Sequence, residues 1–305
     1  MDIGVTIRVL IASWTELETS LSAVQRIRQF SLDTPTETQR QDIREPPASW
    51  PLAGSISIRN LSAAYMIDGK SVVQNLSITI KAGERIGLCG RTGSGKSSLV
   101  ATLFGLLVKQ EGDIEIDGIG IDEVPLSTLR SKYVALPQEP FFLKGTARFN
   151  LVPWASSQDS TWVSDDEMLS ALEKVQLLQK LSDMSIAGES PLDISLDEID
   201  SVFSHGEKQL FCLARAMLSP GRIVILDEAT SGVDAATDRL MQKVLREAFQ
   251  DRTIIVIAHR LNTILDFDRV VVMDAGQLVE VGNPSQLMSK ESGRFRALVE
   301  QQMTV

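Results

Sequence analysis

The run Gly90-Arg91-Thr92-Gly93-Ser94-Gly95-Lys96-Ser97 fits the pattern G-x-x-x-x-G-K-[ST]. No other feature narrows the fold so far, because such a loop works only with a strand leading in and a helix leading out. Arg85–Cys89 (RIGLC) reads as that strand, and Ser97 to Leu107 reads as that helix. Glycines permit the tight turn and let successive backbone N–H groups point inward at phosphate oxygens. The helix adds its N-terminal dipole, Lys96 brings a positive charge for β- and γ-phosphates, and the Ser97 hydroxyl is placed to ligate Mg²⁺. Taken alone, the loop competes with an ordinary glycine-rich βα turn.

The surrounding pattern fits the same architecture. Ile223–Leu226, Ile254–Ala258 and Val270–Met273 are apolar on both faces, as strands of a covered parallel sheet are. SISIRNLSAAY and LSITIKAGE alternate with period two and predict antiparallel strands. Between Asp234 and Phe249, the residues Leu240, Val244, Leu245 and Ala248 mark a covering helix. The expected fold class is α/β, of the P-loop NTPase type, with a parallel core sheet, an antiparallel β subdomain and a helical subdomain. Residues 1–30 carry one apolar stripe (Leu10, Trp14, Leu17, Leu21, Val24, Ile27) and predict a helix. Residues 31–54 read as an exposed linker, and 55–302 as one α/β domain with its helical part at about 138–220. The strand Ile223–Leu226 ends in Asp227 and Glu228, at the sheet edge where open α/β folds bind ligands. Asp227 is suited to the Mg²⁺ shell, and Glu228 to orienting or deprotonating a water.

Charge excludes some partners. The formal net charge is −10, which argues against broad neutralisation of nucleic-acid phosphates, so no nucleic-acid partner is expected. Between Asp159 and Asp200, eleven acids face only Lys174 and Lys180, and this stretch reads as an acidic, solvated surface insertion. Cys89 and Cys212 form no legible disulfide framework or zinc pattern, so a reducing compartment is the expectation. The opening MDIGVTIRVLIASW is interrupted by Asp2 and Arg8 and reads as neither a secretory signal nor a complete membrane helix. Composition alone predicts a soluble, acidic, intracellular α/β protein.

With these residues in order, the sequence resembles the nucleotide-binding domain of ATP-binding-cassette (ABC) transporters. Tyr65, in LSAAY, matches the aromatic that stacks on adenine. Gln138, in LPQEP, matches the Q-loop glutamine that reaches Mg²⁺ and faces the membrane domain. Phe203-Ser204-His205-Gly206-Glu207 matches the LSGGQ signature, Ser231-Gly232-Val233-Asp234 the D-loop, and His259 in IAHRL the switch histidine on the γ-phosphate. The resemblance implies ATP and Mg²⁺ as ligands. It implies nucleotide contacts from Tyr65, Gly90 through Ser98, Ser204 and Gly206, metal contacts from Ser97, Gln138 and Asp227, and catalysis by Glu228, His259 and Gln138.

SWTELETSLSAVQRIRQF further resembles the segment joining the last membrane helix to the second cassette of subfamily C, the multidrug-resistance-protein group. In that group the second cassette keeps the catalytic glutamate, so Glu228 points to the second. FSHG and FCLARAML look most like fungal members. The implied whole is the C-terminal part of a full exporter, membrane-associated on the cytosolic face, paired head to tail with a degenerate first cassette and attached to transmembrane domains. A nucleotide-sensing regulatory cassette and a soluble non-transport ABC ATPase are the alternatives. The signature departs from the family at Phe203, His205 and Glu207. A carboxylate at Glu207 either repels a γ-phosphate or favours the helix dipole while pointing away, and its direction decides which.

Overall fold

The computed structural model describes residues 3–34, 43–154, 163–185, 188–227, 232–258 and 260–303. They belong to two compact units, Met1–Gln41 and Asp42–Val305. The first holds α1 (Ile3–Asp33), the helix that the apolar stripe predicts, and none of its residues is buried.

The second unit opens with β1 (Ile56–Ala64), β2 (Val73–Ile80) and β3 (Arg85–Cys89), followed by α2 (Lys96–Leu103). Helix α2 stops short of the expected Leu107, because Gly105 takes a left-handed φ of 66° that breaks the helical course. Next come β4 (Val108–Ile116), β5 (Ile119–Gly120), α3 (Leu126–Ser131) and β6 (Tyr133–Leu136). A helical stretch holds α4 (Ala147–Leu151), α5 (Asp165–Lys174), α6 (Leu178–Met184), α7 (Ile199–Val202) and α8 (His205–Leu218). The chain then returns through β7 (Ile223–Asp227), α9 (Ala235–Ala248), β8 (Thr253–Ile257), β9 (Arg269–Asp274) and β10 (Gln277–Gly282) to α10 (Pro284–Met288) and α11 (Arg294–Met303).

Two sheets result. The antiparallel sheet runs β2-β1-β4-β5, as the period-two strands predict. The other runs β10-β9-β3-β8-β7-β6, with five parallel strands and β10 antiparallel at its edge. Strand β7 shows why its sequence carries no polar alternation. Val224 and Leu226 enter the core shared with α5, α8 and α9, whereas Ile223 and Ile225 enter the core shared with α2 and the antiparallel sheet. Both faces are covered, so both must be apolar.

The acidic stretch is more than a solvated insertion. Met168, Leu172, Leu181, Leu192 and Leu196 are buried in the core around α8, while the acids from Asp165 to Glu198 are exposed, Asp165 and Asp193 pairing with Arg148. Trp50 also differs from its reading as exposed linker: it is 5% exposed, and its indole Nε1 donates to the Ile116 carbonyl at 2.9 Å. The Asp117 carboxylate accepts the N–H groups of Ala53, Gly54 and Ser55 at 2.8–3.0 Å and fixes the chain as it enters β1.

Candidate functional site

Five helices begin with a side-chain cap: Thr146 on α4, Ser164 on α5, Ser204 on α8, Asp234 on α9 and Asn283 on α10. Helix α2 does not. Its N-cap is Gly95, in a left-handed conformation (φ 99°) with no side-chain hydrogen bond to the first turn. The first N–H groups of a helix need an acceptor, and the N-cap residue of α2 has no side chain to supply one, which suits the place to an anion. Gly90 (φ 147°) and Gly93 (φ 78°) bend the loop in front of the helix. A Cβ on Gly90 would lie 2.2 Å from the Met273 carbonyl oxygen, so only glycine fits there.

Lys96 folds back across this loop. Its Nζ donates to the carbonyls of Gly90 at 2.9 Å and Arg91 at 3.1 Å. The cation is thereby held over a cradle of about 1320 Å³ that Gly90 through Ser98 line together with Val72, Arg260, Gly276 and Gln302. Tyr65 lies 64% exposed with its hydroxyl 3.1 Å from Ser98 Oγ, which places the aromatic ring next to α2. Cys89, the last residue before the loop, is a neutral thiol: burial pushes it up to about 12, against the opposing charge of Lys96.

The strand register locates the acid. Ile257 of β8 pairs with Leu88 on one side and Asp227 on the other, so Asp227 stands level with Leu88, two residues before the loop. Leu136 of β6 pairs with Leu226, and the exposed Gln138 follows it past the same edge. The Ser97 hydroxyl, the Asp227 carboxylate and the Gln138 amide all offer oxygen, the donor type that Mg²⁺ takes. Glu228, Ser231 and His259 lie outside the described residues.

Ser204 and Gly206 are not among the residues lining the cradle. They begin α8, where a Cβ on Gly206 would meet Thr237 Cγ2 at 3.2 Å and Val233 Cγ1 at 3.4 Å, so the small residue allows close packing against the start of α9. Glu207 points back toward its own helix. Its Oε2 accepts the Ser204 N–H at 2.7 Å, its own N–H donates to Ser204 Oγ at 3.3 Å, and its Oε1 meets Lys180 Nζ at 2.6 Å. This is a capping box, in which Glu and Gln serve equally. Burial raises the Glu207 carboxyl, but Lys180 and the Ser204 donors more than offset it and hold it below the usual glutamate range. The S-x-x-E spacing of Ser204 and Glu207 is a sequence signal that could have identified this arrangement.

Other residues near these loops carried no comparable signal. Gln209 is fully buried, and its amide donates to the Gln138 carbonyl at 2.5 Å, joining the signature helix to the loop after β6. The Gln302 side chain accepts the Leu261 N–H at 3.0 Å, so α11 holds the segment just past His259. Arg260 and Asp238 approach within 3.9 Å at the cradle wall.

A family model described as ABC transporter matches residues 73–231. ABC multidrug transporter B of Aspergillus fumigatus is 40% identical over 300 residues, covering 98% of this chain and 20% of that protein. ATP-binding cassette sub-family C member 4 of Mus musculus is 41% identical over 286 residues, covering 94% of this chain and 21% of that protein. This chain thus spans about a fifth of the length of those relatives. A solved structure, that of a bacterial Atm1-family ABC exporter with ATP bound, superposes with a TM-score of 0.76 at 27% identity, covering 93% of this chain and 47% of that one.

Proposed function

Because this chain belongs to the ABC transporter family, we propose that it is an ATP-binding and ATP-hydrolysing cassette that powers export through transmembrane domains of subfamily C type. The observation that carries this reading is the uncapped N-terminus of α2 behind a glycine loop that Lys96 already spans. A polyanion is the ligand such a cradle suits.

In this reading, the Tyr65 ring stacks on adenine, and backbone N–H groups of the loop from Gly90 hold the phosphates. Lys96 exchanges its loop carbonyls for β- and γ-phosphate oxygens. Ser97, Gln138 and Asp227 would hold Mg²⁺, which when bound neutralises phosphate charge. Glu228 takes a proton from the attacking water, and His259 steadies the γ-phosphate. Phosphoryl transfer asks mainly for positioning and electrostatics, which these groups supply. Ser204 and Gly206, standing apart from the cradle, serve a nucleotide on a second cassette. A degenerate first cassette is the partner that a chain retaining Glu228 suits, with both on the cytosolic face of the membrane.

The Lys96→Ala chain tests the reading. It should lose binding of a fluorescent ATP analogue in titration while keeping its circular dichroism spectrum; unchanged affinity would remove the loop from the site.

A further inference from the structure

We propose that Lys180 is a positioning residue that lets this chain carry a carboxylate in its signature, by neutralising Glu207 and holding it turned away from the nucleotide of the partner cassette. This rests on the shared-site reading above.

A capping box needs only the acceptor oxygen that faces the N-cap N–H, and a glutamine supplies it as well as a glutamate does. What glutamate adds is a charge. That charge is met by one cation from a different helix: Lys180 of α6 lies 2.6 Å from Glu207 Oε1, while Glu207 Oε2 is taken by the Ser204 N–H. Both carboxylate oxygens are therefore engaged inside the subdomain. The same ammonium lies 5.0 Å from the centroid of the Phe203 ring, which is buried. Two of the three signature departures, Phe203 and Glu207, thus meet on one lysine. The pair is about one-third exposed, with side-chain values of 34% and 28%. Solvent screens it there but leaves a field that a nearby phosphate senses.

Without Lys180, one oxygen of Glu207 would lose its counter-charge beside Ser204, the residue assigned to the partner's γ-phosphate. Repulsion by one unit charge across a partly solvated gap is expected to weaken ATP-dependent pairing of cassettes about tenfold.

The test uses the full chain carrying Glu228→Gln, so that bound ATP persists, with pairing followed by sedimentation in Mg²⁺-ATP. Lys180→Met keeps the aliphatic stem over Phe203 and should raise the dissociation constant about tenfold. Adding Glu207→Gln to Lys180→Met should restore pairing, an outcome that a merely structural lysine would not give. ATP binding to each single chain, measured at concentrations too low for pairing, should stay at the parent value throughout. Equal pairing of parent and Lys180→Met, or a double variant as weak as the single one, would overturn the assignment of Lys180. If all forms bind ATP and none pairs, the shared-site reading fails and the inference falls with it.

Discussion

Gln209 Nε2 donates to the main-chain carbonyl of Gln138 at 2.5 Å, which ties the second turn of α8 to the loop that leaves β6. The other end of that amide, Oε1, is buried with no partner among the described residues. An unsatisfied buried acceptor is costly, so the amide retains its place at the expense of stability. Gln209→Leu removes the amide's hydrogen bonds to the Pro137 and Gln138 carbonyls together with one orphan, and these changes should largely offset, leaving stability within about 1 kcal/mol of the parent. Gln209→Glu places a charge against two carbonyls and should cost about 2 kcal/mol or more. Urea midpoints separate them; equal destabilisation by both would show that the orphan is satisfied in solution.

The glycines of the phosphate loop should differ in tolerance. Gly93 has open space where a Cβ would stand, so Gly93→Ala should cost only the left-handed strain of about 1–2 kcal/mol. At Gly90 the Cβ would collide with the Met273 carbonyl, and the loop must move. Gly90→Ala should therefore lose nucleotide binding and melt lower than Gly93→Ala. Similar melting and binding for both would show that the loop relaxes freely.

Much of this was legible before the fold. The stretch from Arg85 to Ser97 encodes strand, turn and helix in residue types that local sterics demand, and β7 announced its double burial by lacking any polar position. What escaped depended on distant partners. Trp50 sits in a polar segment and is buried because the Ile116 carbonyl and a tertiary pocket await it. Lys180 stands in a run dominated by acids and gains meaning only once α6 packs beside α8. The capping box at Ser204 and Glu207 has a local S-x-x-E spacing, but beside the signature's usual glutamine it is the charge of Glu207, and not the cap, that stands out. The direction of the carboxylate, left open by comparison with the usual glutamine, follows from the cap.

Acid should act on that box. A carboxyl held below its ordinary value stabilises the fold above the unfolded value, about 4.3 for glutamate, and that stabilisation is lost as pH falls through the folded value. Glu207 is such a group. The parent should lose more stability between about pH 5 and lower pH than Glu207→Gln, whose side chain does not titrate. Urea midpoints across that range check the sign; parallel profiles would show that Glu207 has the same affinity for protons folded and unfolded.

Glu228→Gln should keep ATP binding and slow hydrolysis about 10²–10⁴-fold, the contribution of a positioned general base. His259→Ala should impair turnover more than affinity, because a γ-phosphate contact matters most as charge redistributes. Phosphate release and nucleotide titration, run on the same preparations, separate the two effects. Parent-rate hydrolysis by Glu228→Gln would remove its role, and an equal loss of ADP and ATP affinity in His259→Ala would mark that histidine as structural.

The most direct measurement is the ATPase rate per chain against protein concentration, with mass followed by light scattering and with a first-cassette domain added in a parallel series. The cradle from Gly90 to Ser98 and the signature at Ser204 belong to different nucleotides in this account. The rate should be low in the monomer, rise as pairs form, and rise further with a partner whose signature carries glutamine. A high rate independent of concentration, from a species that stays monomeric, would contradict it.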